Sequence, residues 1–204
     1  MAKSPLPKIR IISYSWQMKP QTNEVYISVD VETAGPNPSQ YSLLSIGACL
    51  VFDTEKTFYV ELQPVNEAFT SEALQISGLK MAKLKVRGLP PEEAMRQFSD
   101  WVSQTTLPDQ QPIFVALNAP FDWMFVTDYF HRYLGQNPFG HKALDIKAFY
   151  MGRNGIQWND TGFEAITKHY QIKQSLNHNA LQDAIAQAKL FRRMLEEQGS
   201  LAKP

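Results

Sequence analysis

A single cysteine, Cys49, stands among 204 residues, and it lies inside the apolar run from Leu43 to Phe52. One thiol excludes a disulfide framework and suits a reducing cytoplasm, and its apolar neighbours mark it as a packed core group rather than a nucleophile. Net charge is equally scarce. Lys and Arg number 20, as do Asp and Glu, so a polyanionic partner must be met by a local basic patch or by bound cations. Long hydrophobic runs are missing too, since the longest apolar stretches have the length of a strand and not of a membrane span. Near the N-terminus, Ile11 and Ile12 follow Lys3, Lys8 and Arg10 but give way at once to polar and aromatic residues, so no signal-peptide core forms. A cytoplasmic protein with no membrane partner is expected. Repeats and low-complexity tracts do not occur, and the length suits one full core. Residues 1–23, with Pro5, Pro7 and Pro20, read as an N-terminal leader, and 24–200 as a single domain.

The acidic residues are ordered. Val25, Ile27, Val29 and Val31 alternate with Tyr26, Ser28, Asp30 and Glu32, a period-two pattern that puts both carboxylates on one face of a strand. Their Cα atoms then lie roughly 6.5–7 Å apart. Two acids leaving the end of an apolar strand in one direction repel unless a cation sits between them, and hard divalent cations prefer oxygen ligands.

Strands Val25–Glu32, Leu43–Phe52 and Thr57–Gln63 read as an antiparallel meander, turned by Gly35-Pro36-Asn37-Pro38 and by Asp53-Thr54-Glu55-Lys56. Helices are expected over Glu67–Ile76, ending at Gly78, and over Pro91–Thr105, where Ala94, Phe98, Trp101 and Val102 share a face. Ile113–Leu117 has the continuous apolar character of a strand covered on both sides. Helix Pro120–Leu134, a short strand Ala143–Ile146, helices near Lys147–Met151 and Thr161–Tyr170, and a last helix Ala180–Glu197 complete the chain. A meander followed by alternating strands and helices predicts an α/β fold with a mixed five-stranded sheet flanked by helices.

Two later clusters add acids. Asp122, in Asn118-Ala119-Pro120-Phe121-Asp122, stands in the first turn of a helix leaving a buried strand, near the positive end of that helix. Alone, it reads as an ordinary first-turn acid. His178-Asn179-Ala180-Leu181-Gln182-Asp183 opens the last helix. Five residues advance an ideal helix by roughly 500°, so His178 and Asp183 cannot share a helix face. Were His178 in the preceding loop, with Asn177 or Asn179 as cap, its ring could fold back toward a metal held by Asp183. Alone, it reads as a capping-region histidine.

Asp-x-Glu-Thr-x-Gly ending an early strand, Asn-x-x-x-Asp at a later strand–helix junction and His-x-Ala-x-x-Asp opening the final helix resemble, in that order, the histidine-containing branch of the DEDD 3′–5′ exonucleases. The resemblance runs from about Val25 to Phe191. It implies a ribonuclease-H-like fold in which Asp30, Glu32, Asp122 and Asp183 hold two Mg²⁺ or Mn²⁺ ions and His178 is the general base. Two such ions, roughly 3.5–4 Å apart, would activate water and stabilise the leaving oxygen of a phosphodiester. The implied reaction releases nucleoside 5′-monophosphates from the 3′ end of single-stranded RNA or DNA. A catalytically inactive nucleic-acid-binding protein of the same fold is the competing expectation.

The motif Val29–Gly35 and the segment Glu72-Ala73-Leu74 before Gly78 are similar to ribonuclease T in particular. That likeness implies substrate contacts from Thr33, Ala34, Gly35, Glu72, Asn118 and Phe121, with the Phe121 ring wedged against a terminal base. Relatives of this kind are dimeric, which adds a homodimer to the implied partners. Pro36 and Ile76 stand where ribonuclease T has phenylalanines, so its base preference does not carry over, and Leu117 stands where the family usually has histidine, which removes a polar group beside the site but no metal ligand. Lys80, Lys83, Lys85 and Arg87 form the densest basic stretch, either a solvated face or a phosphate track. Asp145 reads as a helix cap, and Trp101, Tyr129, Phe130 and Phe191 as core.

Overall fold

A computed structural model describes residues 23–197. Residues 1–22 of the expected leader 1–23, and the last residues of the expected domain, 198–200, lie outside the described residues. Among the described residues thirteen elements follow in the order β1 (Glu24–Thr33), β2 (Leu43–Leu50), β3 (Asp53–Glu61), α1 (Ser71–Ser77), α2 (Met81–Arg87), α3 (Pro91–Thr105), β4 (Gln111–Ala116), α4 (Ala119–Leu134), β5 (Ala143–Asp145), α5 (Ile146–Asn154), a 3₁₀ turn (Trp158–Asp160), α6 (Phe163–His169) and α7 (Ala180–Glu197).

The strands form one mixed sheet in the order β3-β2-β1-β4-β5. β1 pairs antiparallel with β2 and parallel with β4, and β5 continues parallel to β4. β1 is therefore central, and its C-terminal end lies beside that of β4 where the chain order reverses. Such a crevice is the usual place for a ligand in open α/β sheets.

The alternation in β1 sorts its side chains onto two covered faces. Ile27, Val29 and Val31 pack with Ala94, Phe98 and Val102 of α3 and with Phe125, Val126, Tyr129 and Phe130 of α4. Phe98 stacks on Phe58 and Phe130, with ring centroids 5.0 and 5.6 Å apart. Each such fully buried side chain contributes roughly 1.5–3 kcal/mol of transfer free energy. On the opposite face, α5, α6 and α7 cover Cys49, Val51, Ile113 and Val115. Cys49 is a buried core thiol, raised to about 12 by loss of solvation. A smaller cluster of Ala34, Leu44 and Leu84 seats α1 and α2 over the end of β1.

The fold departs from the sequence expectation at three places. The second hairpin turns at Val51-Phe52, and Asp53–Lys56 lies within β3, with Leu50 paired to Asp53. Val51 is fully buried and its N–H donates to the Tyr26 carbonyl at 2.9 Å, so burial overrides the turn chemistry of the polar residues behind it. The helix expected over Glu67–Ile76 begins only at Ser71, because Thr70 caps it by accepting from the Ala73 N–H, while Asn66 is tied to the Gln40 carbonyl. The basic stretch after Gly78 forms α2, a short helix held by one buried residue, Leu84. Among the described residues no helix is long and apolar enough to cross a membrane.

Candidate active site

The cleft at the ends of β1 and β4 encloses about 480 Å³ and is lined by Asp30, Glu32, Asp122, His178 and Asp183. Asp30 and Glu32 emerge together from β1, as period two requires. Asp122 reaches them from the first turn of α4, where its Oδ1 accepts from the Val31 N–H at 3.1 Å. That bond ties the helix to the strand between the two β1 acids.

Asp183 arrives with α7. Its Oδ1 accepts from the Asn177 N–H and its Oδ2 from the His178 N–H, each at 2.9 Å. His178 lies in the loop before α7, held at φ 58°, a left-handed backbone that few non-glycine residues adopt. Asn179 accepts from Gln182 N–H and caps the helix. With the loop folded back this way, one ligand atom each from Glu32, His178 and Asp183 lies within 4.8 Å of the others.

α7 can come this close because of Gly47. It pairs with Asp30 across the β1–β2 ladder and points to the same face, and a Cβ there would lie 2.2 Å from backbone atoms of Ala180 and Leu181. The absence of a side chain brings the start of α7 onto the sheet above Asp30.

The acids are costly to ionise. Asp30 is pushed well above the usual carboxylate range, first by loss of solvation and then by the charges of Asp122, Glu32 and Asp183. Burial, with Asp183 beside it, lifts Glu32 to about 7. Asp122 rises to about 8, again chiefly through burial, although the Val31 N–H opposes the shift. Clustered carboxylates that resist ionisation are matched by a cation that would replace their lost hydration.

Of the residues expected to contact substrate, Thr33, Gly35, Glu72, Asn118 and Phe121 line the cleft. Ala34 does not. It is buried beneath α2, with its N–H on the Ser42 carbonyl and its carbonyl accepting from Thr70 N–H. Pro36, Ile76 and Leu117 also line the cleft, so the positions that depart from ribonuclease T and from the wider family are all at the site. Thr70 and Leu176 join them with no signal in the sequence, and Ala73 joins them from the segment similar to ribonuclease T. Asp145 caps α5 by accepting from the Lys147 and Ala148 N–H groups. In α2, Lys85 pairs with Glu67, and no residue of the stretch from Lys80 to Arg87 lines the cleft.

Gln187 was missed. It is fully buried one helical turn after Asp183, and its Nε2 donates to Asp30 Oδ1 at 2.6 Å. The spacing of four from Asp183 was the available signal, since it places the two on one helix face.

Solved structures share this architecture. The nuclease domain of 3′hExo, a DEDDh family member bound to rAMP, superposes with a TM-score of 0.71 at 15% identity, covering 87% of this chain and 94% of that one. The zinc-bound complex of E. coli ExoI with single-stranded DNA gives 0.66 at 19% identity, over 86% of this chain and 41% of that one. The fold is thus the ribonuclease-H-like fold of the exonucleases. In sequence, the exonuclease family of the RNase T type matches residues 27–191. The 3′–5′ DNA exonuclease Cap18 of Escherichia coli is 47% identical over 169 residues, 83% of this chain and 90% of its own length. A PolC-type DNA polymerase III of Staphylococcus aureus is 25% identical over 93% of this chain, which spans only 13% of that polymerase. The chain belongs to the exonuclease family and is a 3′–5′ exonuclease.

Proposed function

We propose that the protein removes nucleoside 5′-monophosphates one at a time from the 3′ end of single-stranded DNA. The proposed machinery is Asp30, Glu32, Asp122 and Asp183 as ligands of two Mg²⁺ or Mn²⁺ ions and His178 as general base. The observation that carries this reading is the convergence of four carboxylates from β1, α4 and α7 on one cleft beside a loop histidine. The donor set fits hard divalent cations, being rich in carboxylate oxygen and buried so that loss of solvation, and then mutual repulsion, raises its pKa values. When bound, such ions supply activation of the attacking water and neutralisation of charge on the scissile phosphate and leaving oxygen.

The chain's own residues do the rest. His178 takes the proton from the attacking water as the general base. Its backbone is locked by the N–H bond to Asp183, so the base and a ligand move as one unit. Phe121, half-buried against Phe125 with ring centroids 5.5 Å apart, offers a stacking face to the terminal base. Stacking of this kind contributes roughly 1–3 kcal/mol per base without reading sequence. Glu72 and Asn118 supply polar contacts at the cleft rim, and Thr33 and Gly35 supply backbone. DNA is favoured over RNA as substrate by the 47% identity to a 3′–5′ DNA exonuclease.

The test uses 5′-labelled DNA and RNA oligonucleotides of matched sequence with Mg²⁺ or Mn²⁺. The expected result is a 3′-shortened ladder with 5′-mononucleotides released, faster on DNA. A 3′-phosphate should block the reaction. Binding without shortening under either metal would leave the nucleic-acid-binding alternative, and internal cutting of blocked DNA would replace the exonuclease reading with an endonuclease.

A further inference from the structure

The side chain of Gln187, on α7, bridges β1 and the segment that follows β4. Its Oε1 accepts from the Leu117 N–H at 2.9 Å, and its Nε2 donates to Asp30 Oδ1 at 2.6 Å. The orientation of the amide follows from its partners. A backbone N–H can only donate, so the oxygen must face Leu117, and the NH₂ group is left to face Asp30. With 1% of its surface exposed, Gln187 has no water to exchange for either partner. Leu117 is the first residue after β4, just before Asn118 and five residues before Asp122. A single amide from α7 therefore joins the β1 acid to the junction that delivers the α4 acid. Asp183, four residues earlier on the same helix, completes the set.

We infer that Gln187 is a positioning residue for divalent-cation binding, which holds the Asp30 carboxylate in one rotation and keeps the Leu117–Asp122 junction in register with it. A carboxylate turns easily about its terminal torsion. Without a donor on Oδ1, Asp30 would lie among three other acids that repel it, and nothing on its own strand would hold it toward the shared cation position. Groups that orient ligands in this way typically change metal affinity or activity by roughly 10–100-fold when removed. The inference rests on the proposed role of Asp30 as a ligand.

The experiment is a Mn²⁺ titration followed by electron paramagnetic resonance on the full-length protein. Gln187→Met, of similar length and apolar, should bind Mn²⁺ about 10-fold more weakly than the parent, and adding excess Mn²⁺ should restore most of its kcat with little change in the KM for DNA. Gln187→Asn keeps an amide but is one methylene too short to reach both partners. It should shift Mn²⁺ affinity in the same direction, and it serves if the Met variant does not fold. In an Asp30→Asn background the Gln187 effect should shrink to less than about twofold, because the group acted upon has gone. Unchanged Mn²⁺ affinity in a folded Gln187 variant overturns the inference, and so does an equal loss with and without the Asp30 carboxylate, which would mark a purely structural role. If Asp30→Asn alone leaves Mn²⁺ affinity at the parent value, the ligand assignment fails and the inference falls with it.

Discussion

β1 is buried on both faces, yet the two faces solve burial in opposite ways. Ile27, Val29 and Val31 enter an apolar layer of α3 and α4 aromatics, where nothing is asked of them but volume. On the other face, Tyr26 meets Phe191 edge-on at 5.6 Å, the Ser28 hydroxyl donates to the Ala184 carbonyl at 2.8 Å, Asp30 accepts from Gln187, and Glu32 faces Asp183 and His178. Each of these partners lies on α7 or in the loop before it. One face stabilises the fold through transfer free energy; the other keeps charge out of water and accepts a stability cost for chemistry. α7 is thus as much a part of the site as the strand that opens it.

Changes on the two faces should separate activity from stability. Asp30→Asn should lower turnover by at least about 10³-fold, since several kcal/mol of charge stabilisation act at the reacting phosphate. It should also leave metal-free stability undiminished, because a carboxyl group that is costly to ionise beside three other acids is gone; a melting temperature well below the parent's would break the contrast. His178→Ala comes next, with a loss of about 10²-fold or more in kcat. DNA binding should persist and Mn²⁺ affinity should be spared. A large fall in that affinity would move His178 from base to ligand, a role its closeness to Glu32 and Asp183 also permits.

A pH titration of stability tests the polar face as a whole. Glu32 and Asp122, raised to about 7 and about 8, keep protons in the folded state that the unfolded chain gives up near pH 4. Their contribution to stability is full below that unfolded value and is lost as pH rises through 7 and 8. Without divalent cations the melting temperature should therefore fall between about pH 5 and about pH 8. Saturating Mg²⁺ should lessen or reverse the slope, because the ion binds the deprotonated form. A flat metal-free profile would mean that the acids are not buried as described. The smallest effect belongs to the apolar face: Ile27→Val should cost about 0.5–1.5 kcal/mol in urea unfolding and leave turnover per folded molecule unchanged.

Much of this was legible in the chain. The alternation of β1 is period two, and α3 and α7 carry apolar stripes of period 3.6, so their extents, Pro91–Thr105 and Ala180–Glu197, match the expectation residue for residue. The short elements were not. Asp53–Lys56 has turn chemistry but lies in a strand, since burying Val51 beside Tyr26 decides where the chain reverses. α2 has no amphipathic stripe long enough to detect and is held by Leu84 against α1 and the end of β1. Ala34 was grouped with substrate contacts by its place in the motif, whereas its hydrogen bonds place it in the support of the site.

By itself the sequence determined which side chains are acidic, which strand carries the first two, and that a histidine precedes the last helix, because these follow from residue identity and local period. The tertiary structure alone decided that the four acids converge. Asp122 is 91 residues from its partner Val31, and Gln187 is 157 from Asp30, distances over which no local rule operates. Convergence depends on steric facts of packing: a missing Cβ at Gly47 admits α7 to the sheet, and the one-way hydrogen bond of the Leu117 N–H orients the amide that reaches Asp30.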